Sequence, residues 1–341
     1  MEELEYNRSL LKKILDKKVL ILIFTGIFLR VVMLMYYYYT HSIYPERSWG
    51  DVGLNFDHNR LYPPLGAMIL DTFRILSFGS IEIFAFWSFI WDLGVVLMFY
   101  YVLKAFNVKK AHYALGLFLI NPFFFLNNTF SLENCGYHIT DTFFFFFLFL
   151  ALMHYPKEKK YSKYLFYFFL GLSICVKYYT APALLSIFLK LIFEKKWKEF
   201  KIFIFITGST LLLFLLLPTL IFNQYLADLL TWYSTGKAFP IYIRIIPTIT
   251  IAMYFIFFRF KSCDIFEIIM ISTISMATFM FFSFPYLRWF QIIIFYGILT
   301  KKEFLFNLGR RKIKIDNHVL TFYLSFIGVF LAFVFIVLGI K

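Results

Sequence analysis

The sequence predicts an all-α polytopic membrane protein of about eleven transmembrane helices, with an interfacial amphipathic helix in the first outer loop. Three observations carry that expectation. The 341 residues are 61% hydrophobic and 16% charged, with a mean hydropathy of +0.74. A soluble domain carries roughly 45–50% apolar and about 25% charged residues. Apolar windows of roughly 17 residues or more, each able to cross a hydrocarbon core of about 30 Å, recur along the whole chain. Lys and Arg gather in alternate connecting segments, as they do in cytoplasmic loops. The alternating ten-residue pattern of a transmembrane β-barrel is absent, and no internal repeat is visible. The charged N-terminus and the length of the first apolar stretch do not fit a cleavable signal.

The expected spans lie at about 19–40, 80–103, 111–127, 138–154, 162–177, 180–193, 202–222, 241–258, 264–283, 286–300 and 318–340. They divide the chain into a cytoplasmic N-terminal segment, 1–18, and a single transmembrane domain, 19–340, with a first outer loop at 41–79. The segment 180–193 is short enough to be tilted or re-entrant. The stretch 61–78 is apolar enough to suggest a further span, but it opens with Pro63-Pro64 and carries Asp71 and Arg74. Charge decides its placement. With 61–78 on the membrane surface and the N-terminus cytoplasmic, 24 of the 34 basic residues face the cytoplasm. If 61–78 crossed the bilayer, 19 of those 24 would move outside, against the positive-inside rule. It is therefore expected to lie in the outer interface. The same asymmetry accounts for the net charge of +14 without any nucleic-acid partner. Cys135, Cys175 and Cys263 have no metal-ligand spacing and are given no role.

Polar groups are scarce, so their clusters mark the candidate chemistry. The first outer loop carries Asp51 just after Trp49-Gly50. A glycine before an acid permits a tight turn that presents the carboxylate. Asp51 reads either as a general base taking a proton from a hydroxyl or as an ordinary solvated aspartate. Asp57-His58 follows, one carboxylate and one imidazole, too few for a metal site; no cofactor is expected, and a divalent metal stays open without a ligand motif to hold it. In Leu61-Tyr62-Pro63-Pro64-Leu65, Pro63 drives Tyr62 out of the helical region and Pro64 suits a first helical turn. Tyr62, Pro63 and Pro64 are thus either a plain helix start or a rigid brace beneath the acidic loop. Asp92 lies mid-span, where a carboxylate must be paired, protonated or turned inward; Arg30 is its candidate partner. Glu133 and Asp141 flank another outer loop, and Asp141 reads equally as a helix cap. Lys177, Arg244 and Arg288, with Tyr286, are the outer cationic and phenolic set. They serve either as snorkelling anchors or as ligands for a lipid-borne phosphate.

An apolar first span, an acidic outer loop with Asp51, and then Tyr62-Pro63-Pro64-Leu65 on an interfacial helix resemble the multispanning glycosyltransferases of the GT-C fold. The likeness is to the branch that glucosylates lipid-linked oligosaccharides. Asp92, Asn121-Pro122 and Asp141 are similar to the pattern of mannosyltransferases, including those of GPI-anchor synthesis. Lys177 followed by Pro182, and Tyr286-Leu287-Arg288-Trp289, fit the same plan. Gly53 stands where many members carry a second acid, and the late motif lacks a histidine common there. The resemblance covers about residues 15–300 and implies a polyprenyl (dolichyl) phosphate sugar as donor and a glycan or lipid-linked acceptor, within membrane lipid. Asp51 would be the base, supported by the acids Asp57, Glu133 and Asp141. Arg288, Arg244, Lys177 and Tyr286 would hold the donor phosphate. The site would face the outside or the lumen, in a plasma or endoplasmic reticulum membrane. A transporter or flippase, and a non-catalytic subunit of a glycan-assembly complex, are the alternatives from other classes.

Overall fold

The structure, a computed structural model, describes residues 17–43, 62–108, 110–121, 139–155, 159–221, 241–254, 256, 260–283, 290–299, 303–308, 311–316, 319–325 and 327. In chain order the elements are α1 (Lys17–Ile43), α2 (Pro64–Leu76), α3 (Ile81–Ala105), α4 (Ala111–Leu119), α5 (Ile139–His154) and α6 (Lys160–Val176). There follow a 3₁₀ turn (Tyr178–Thr180), α7 (Ala181–Phe193), α8 (Trp197–Leu211), a π turn (Leu212–Leu216) and α9 (Leu217–Ile221). The described chain then continues with α10 (Ile241–Tyr254), α11 (Ile265–Ser283) and α12 (Phe290–Leu299). A two-stranded antiparallel hairpin, β1 (Glu303–Leu308) and β2 (Arg311–Asp316), pairs Glu303 with Asp316 and Leu308 with Arg311. The hairpin stands where the sequence predicts only a basic loop.

Three described helices are long and apolar enough to cross a membrane: Lys17–Tyr36, Glu82–Ala105 and Trp197–Ile221. A fourth crossing exists if α6 and α7 count as one broken span; their axes turn through 118° at the break. The segment expected to be tilted or re-entrant is the second half of that broken pair. The helix expected from 202 begins at Trp197 and runs through the π turn to Ile221. α2 has 13 residues, about 20 Å of helix against a core of about 30 Å.

Burial separates two kinds of helix. α5 is apolar on every side and buried nearly all round, with Phe143, Phe144, Leu148 and Leu152 fully enclosed, as expected of a helix without a polar face. It packs on α3, α6 and α2. α1 and the α8–α9 rod instead expose large apolar side chains, among them Phe24, Phe28 and Met35 on α1 and Phe205, Leu213 and Ile221 on the rod. In lipid such side chains are in their own solvent.

Close approach fixes α1 against α4. A Cβ at Gly26 would lie 2.4 Å from Leu119 Cβ, and one at Gly116 would lie 2.7 Å from Leu22 Cβ. Small residues at a crossing let the backbones touch where burial of apolar surface gives no drive. Arg30 locks this crossing. It donates through Nη1 to the carbonyls of Leu119 (2.6 Å) and Gly26 (3.3 Å), and through Nε to Asp92 Oδ2 on α3 (2.7 Å). The expected pairing of Arg30 with Asp92 therefore forms. Arg30 also occupies the C-terminal end of α4, where carbonyls lack helical partners and a cation is favoured.

Candidate functional site: a buried lysine at the helix break

The helix α6 stops because Lys177 leaves helical geometry, at φ −151° and ψ 141°. Its N–H still reaches Ser173 O at 3.0 Å. Ser173 Oγ lies 3.1 Å from Thr180 Oγ1 across the break, and Pro182 stands in the first turn of α7, where its missing N–H costs nothing. The chain thus turns sharply at Lys177 while keeping local polar groups satisfied. The lysine itself ends up 4% exposed.

Two distant pieces of sequence, and a near neighbour in the chain, surround its ammonium. Asp141, in the first turn of α5 and also 4% exposed, accepts from Lys177 Nζ. Tyr179 OH donates to the same oxygen, Asp141 Oδ1, at 3.1 Å and accepts from Lys177 Nζ at 3.4 Å. The Tyr62 ring lies 5.4 Å from Lys177 Nζ, as does the Tyr179 ring. Both distances are within cation–π range. Asp141 is therefore more than a cap, because its carboxylate points into the bundle.

The position of Tyr62 follows from the prolines. Pro63 sits at φ −52° and ψ 147°, and Pro64 opens α2 as its first residue. α2 then crosses the last turn of α6 so closely that a Cβ at Gly66 would lie 2.7 Å from Val176 O. Phe73, farther along α2, contacts Trp91 and Phe143 edge-on or tilted, with ring centroids 5.6 and 5.2 Å away. Phe144 meets Tyr179 edge-on at 5.0 Å. Aromatic rings thus wall the ion pair, and low polarity strengthens the attraction between its charges.

A second ion pair lies nearby. Arg30, Asp92, Asp141 and Gln291 line one cavity of about 20 Å³, the scale of a single water molecule rather than a substrate. Arg244 lies on α10. It is buried, with its guanidinium carbon 5.9 Å from the Phe279 ring of α11.

Of the candidate residues, Tyr62, Pro63, Pro64, Asp141 and Lys177 come together, and Arg244 lies on α10 against Phe279 of α11, a helix that also packs on the Tyr178–Thr180 turn. Asp51, Asp57, Glu133, Tyr286 and Arg288 lie outside the described residues. Tyr179 belongs to the run Lys177-Tyr178-Tyr179 that the sequence places in the outer cationic set, and the structure gives its hydroxyl contact with both Lys177 and Asp141. Among the described residues no group of three or more His, Cys, Asp or Glu side chains could hold a metal ion.

Chemically the cluster offers a desolvated cation held at a fixed point by one carboxylate and one phenol. Such a cation can hold an anionic group, with the carboxylate orienting it. Compared with protein-family models, curated proteins and solved structures, the chain matches none.

Proposed function

We propose that the chain is an integral membrane hexosyltransferase that moves a sugar from a polyprenyl (dolichyl) phosphate donor to a glycan or lipid-linked acceptor. The observation that supports this reading best is the convergence of Tyr62-Pro63-Pro64, Asp141 and Lys177, three pieces of the resemblance, around one buried ammonium. In this reading the chain crosses the membrane about eleven times in a GT-C-like arrangement. α2 lies in the outer interface and the N-terminus is cytoplasmic.

The reaction is a single displacement. The acceptor oxygen attacks the anomeric carbon, the bond from that carbon to the phosphate oxygen breaks, and configuration inverts. The acceptor proton goes to Asp51, and polyprenyl phosphate leaves with the bonding electrons. Lys177 meets the charge that grows on the leaving phosphate, an interaction worth most where water is excluded. Asp141 and Tyr179 are positioning residues that hold the ammonium. Arg244, Arg288 and Tyr286 complete the phosphate contacts.

The test is transfer from a panel of labelled polyprenyl-phosphate hexoses to membrane lipid extract, with wild type, Asp51→Asn and Lys177→Gln. Transfer by the wild type that falls at least about 100-fold in Asp51→Asn is expected, the scale of a lost general base. Equal transfer by Asp51→Asn would remove Asp51 as base. Absence of transfer from every donor, with native acceptor present, would overturn the reading.

One observation favours a second reading, a transporter. The break at Lys177 with its 118° turn is a feature of the discontinuous helices that build transport sites. Uptake of a labelled solute into liposomes, lost with Lys177→Gln, would support it over transfer chemistry.

A further inference from the structure

We infer that the opposite end of the bundle carries a phosphate-binding site, independent of the proposed transfer site. A cavity of about 470 Å³ opens where α5 and α7 end and where α6, α8 and α11 begin. That volume lies within the usual range for small-molecule pockets. The Lys and Arg distribution assigns this end to the cytoplasm.

The walls carry Lys163, Lys190, Lys196 and Lys261, against the three carboxylates Glu194, Glu199 and Asp264. Each carboxylate is already engaged. Glu194 accepts from Lys190 (2.6 Å) and Lys196 (2.7 Å). Glu199 accepts from Lys163 (3.1 Å) and Tyr167 OH (3.0 Å). Asp264 Oδ1 accepts the backbone N–H of Glu267 (2.8 Å), while Glu267 Oε2 accepts that of Asp264 (3.2 Å), a reciprocal cap on α11. Burial first, and the nearby Asp264 carboxylate second, push the Tyr155 pKa up.

Donors remain in excess. Lys190 is buried and spends its three N–H groups on Glu194 and on the carbonyls of Phe260 (3.2 Å) and Lys261 (3.3 Å). It pins the 260–261 backbone and so fixes where Lys261 stands. Lys261 is exposed and has no acidic partner among the described residues. Lys163 and Lys196 each spend one N–H on a carboxylate, and their side chains are 44% and 53% exposed. Three partly free ammonium groups around one opening suit an anion with several oxygens. Tyr155 and Phe166, with ring centroids 5.4 Å apart, offer apolar surface to whatever the phosphate esterifies. The ligand class is a phosphate-bearing anion, reaching the site either as an anionic lipid headgroup or as a soluble phosphate or pyrophosphate compound.

The experiment is thermal unfolding of the full chain in neutral detergent, followed by tryptophan fluorescence. The probes are micelles doped with phosphatidylglycerol, the same micelles with phosphatidylcholine, and soluble pyrophosphate. A ligand that binds only the folded state raises the midpoint with concentration. We expect stabilisation by an anionic probe, none by phosphatidylcholine, and an apparent affinity lowered about tenfold or more in Lys261→Glu, the scale of one charge-assisted hydrogen bond. Stabilisation by phosphatidylglycerol alone identifies a headgroup site, and stabilisation by pyrophosphate identifies a soluble ligand. Lys261→Gln gives a weaker form of the same loss if the charge reversal disturbs folding. Equal response of wild type and both variants, or no response to either anion, would overturn the site.

Discussion

The two ends of the bundle use the same residue types for different ends. At the helix break, Lys177 and Asp141 are both 4% exposed and walled by aromatic rings. At the other end, Glu194 and Lys196 pair on the surface, with side chains 32% and 53% exposed. The comparison teaches that burial, more than separation, sets what an ion pair does. A buried pair fixes one conformation, because either charge alone would be stranded. An exposed pair gives up little when it opens, since water replaces the partner. That leaves the exposed lysines ready to exchange a carboxylate for a ligand.

The sharpest way to break this contrast is at Lys177. Lys177→Met strands the Asp141 carboxylate and is expected to cost about 3–5 kcal/mol. Lys177→Met with Asp141→Asn should cost less than the two single changes added together, because the charges are removed as a unit. Denaturant unfolding of the four proteins in detergent checks this; strict additivity would mean that the pair is not coupled.

Gly66→Ala tests the same end without touching a charge. The new methyl would lie 2.7 Å from Val176 O, so α2 must lift from α6. We expect a loss of about 1–3 kcal/mol, the usual range for overpacking, and the Tyr62 ring should move off Lys177. The checks are unfolding midpoint and accessibility of a cysteine placed at Tyr62. An unchanged midpoint would show that α2 is loosely held.

The smallest effect belongs to the exposed end. Burial alone would raise the Glu194 carboxyl, but hydrogen bonds from Lys190 and Lys196 outweigh it and hold its pKa below the usual glutamate value. A depressed carboxylate adds stability above its unfolded-state pKa and loses it as pH falls through the folded-state value. Glu194→Gln should therefore be less stable than wild type at pH 7, by under about 1 kcal/mol. The difference should shrink toward zero once the pH drops below the usual glutamate range. A difference that persists unchanged into acid would mean that packing, not charge, is involved.

Much of this architecture was legible from residue chemistry. Arg30 and Asp92 stood out because opposite charges at similar depth in two apolar segments have few other partners. Pro63-Pro64 marked the first turn of α2, inside the stretch 61–78, and the helix opens at Pro64. Asp141 and Lys177 were both legible as polar groups at segment ends, yet nothing local said that they touch. Their meeting depends on how α5 packs against α6. The cavity at the other end was illegible for the same reason: Lys190 looked like a charge inside a span, and its bonds to the 260–261 carbonyls link positions 70 and 71 residues apart. The turn between α6 and α7 was half legible, in the shortness of 180–193 and in Pro182. Its angle depends on tertiary packing.

The Arg30 clamp also sets an order of events during synthesis. α1 leaves the ribosome with a guanidinium in its apolar middle, while its acceptors at Asp92 and Leu119 come 62 and 89 residues later. An unpaired arginine at mid-bilayer costs about 2.5–3.5 kcal/mol on insertion scales, against the high hydropathy of the rest of α1. With α1 in a bilayer, the full set of Arg30 contacts therefore forms only after α3 and α4 have been made, and a nascent chain stopped before Leu119 lacks them.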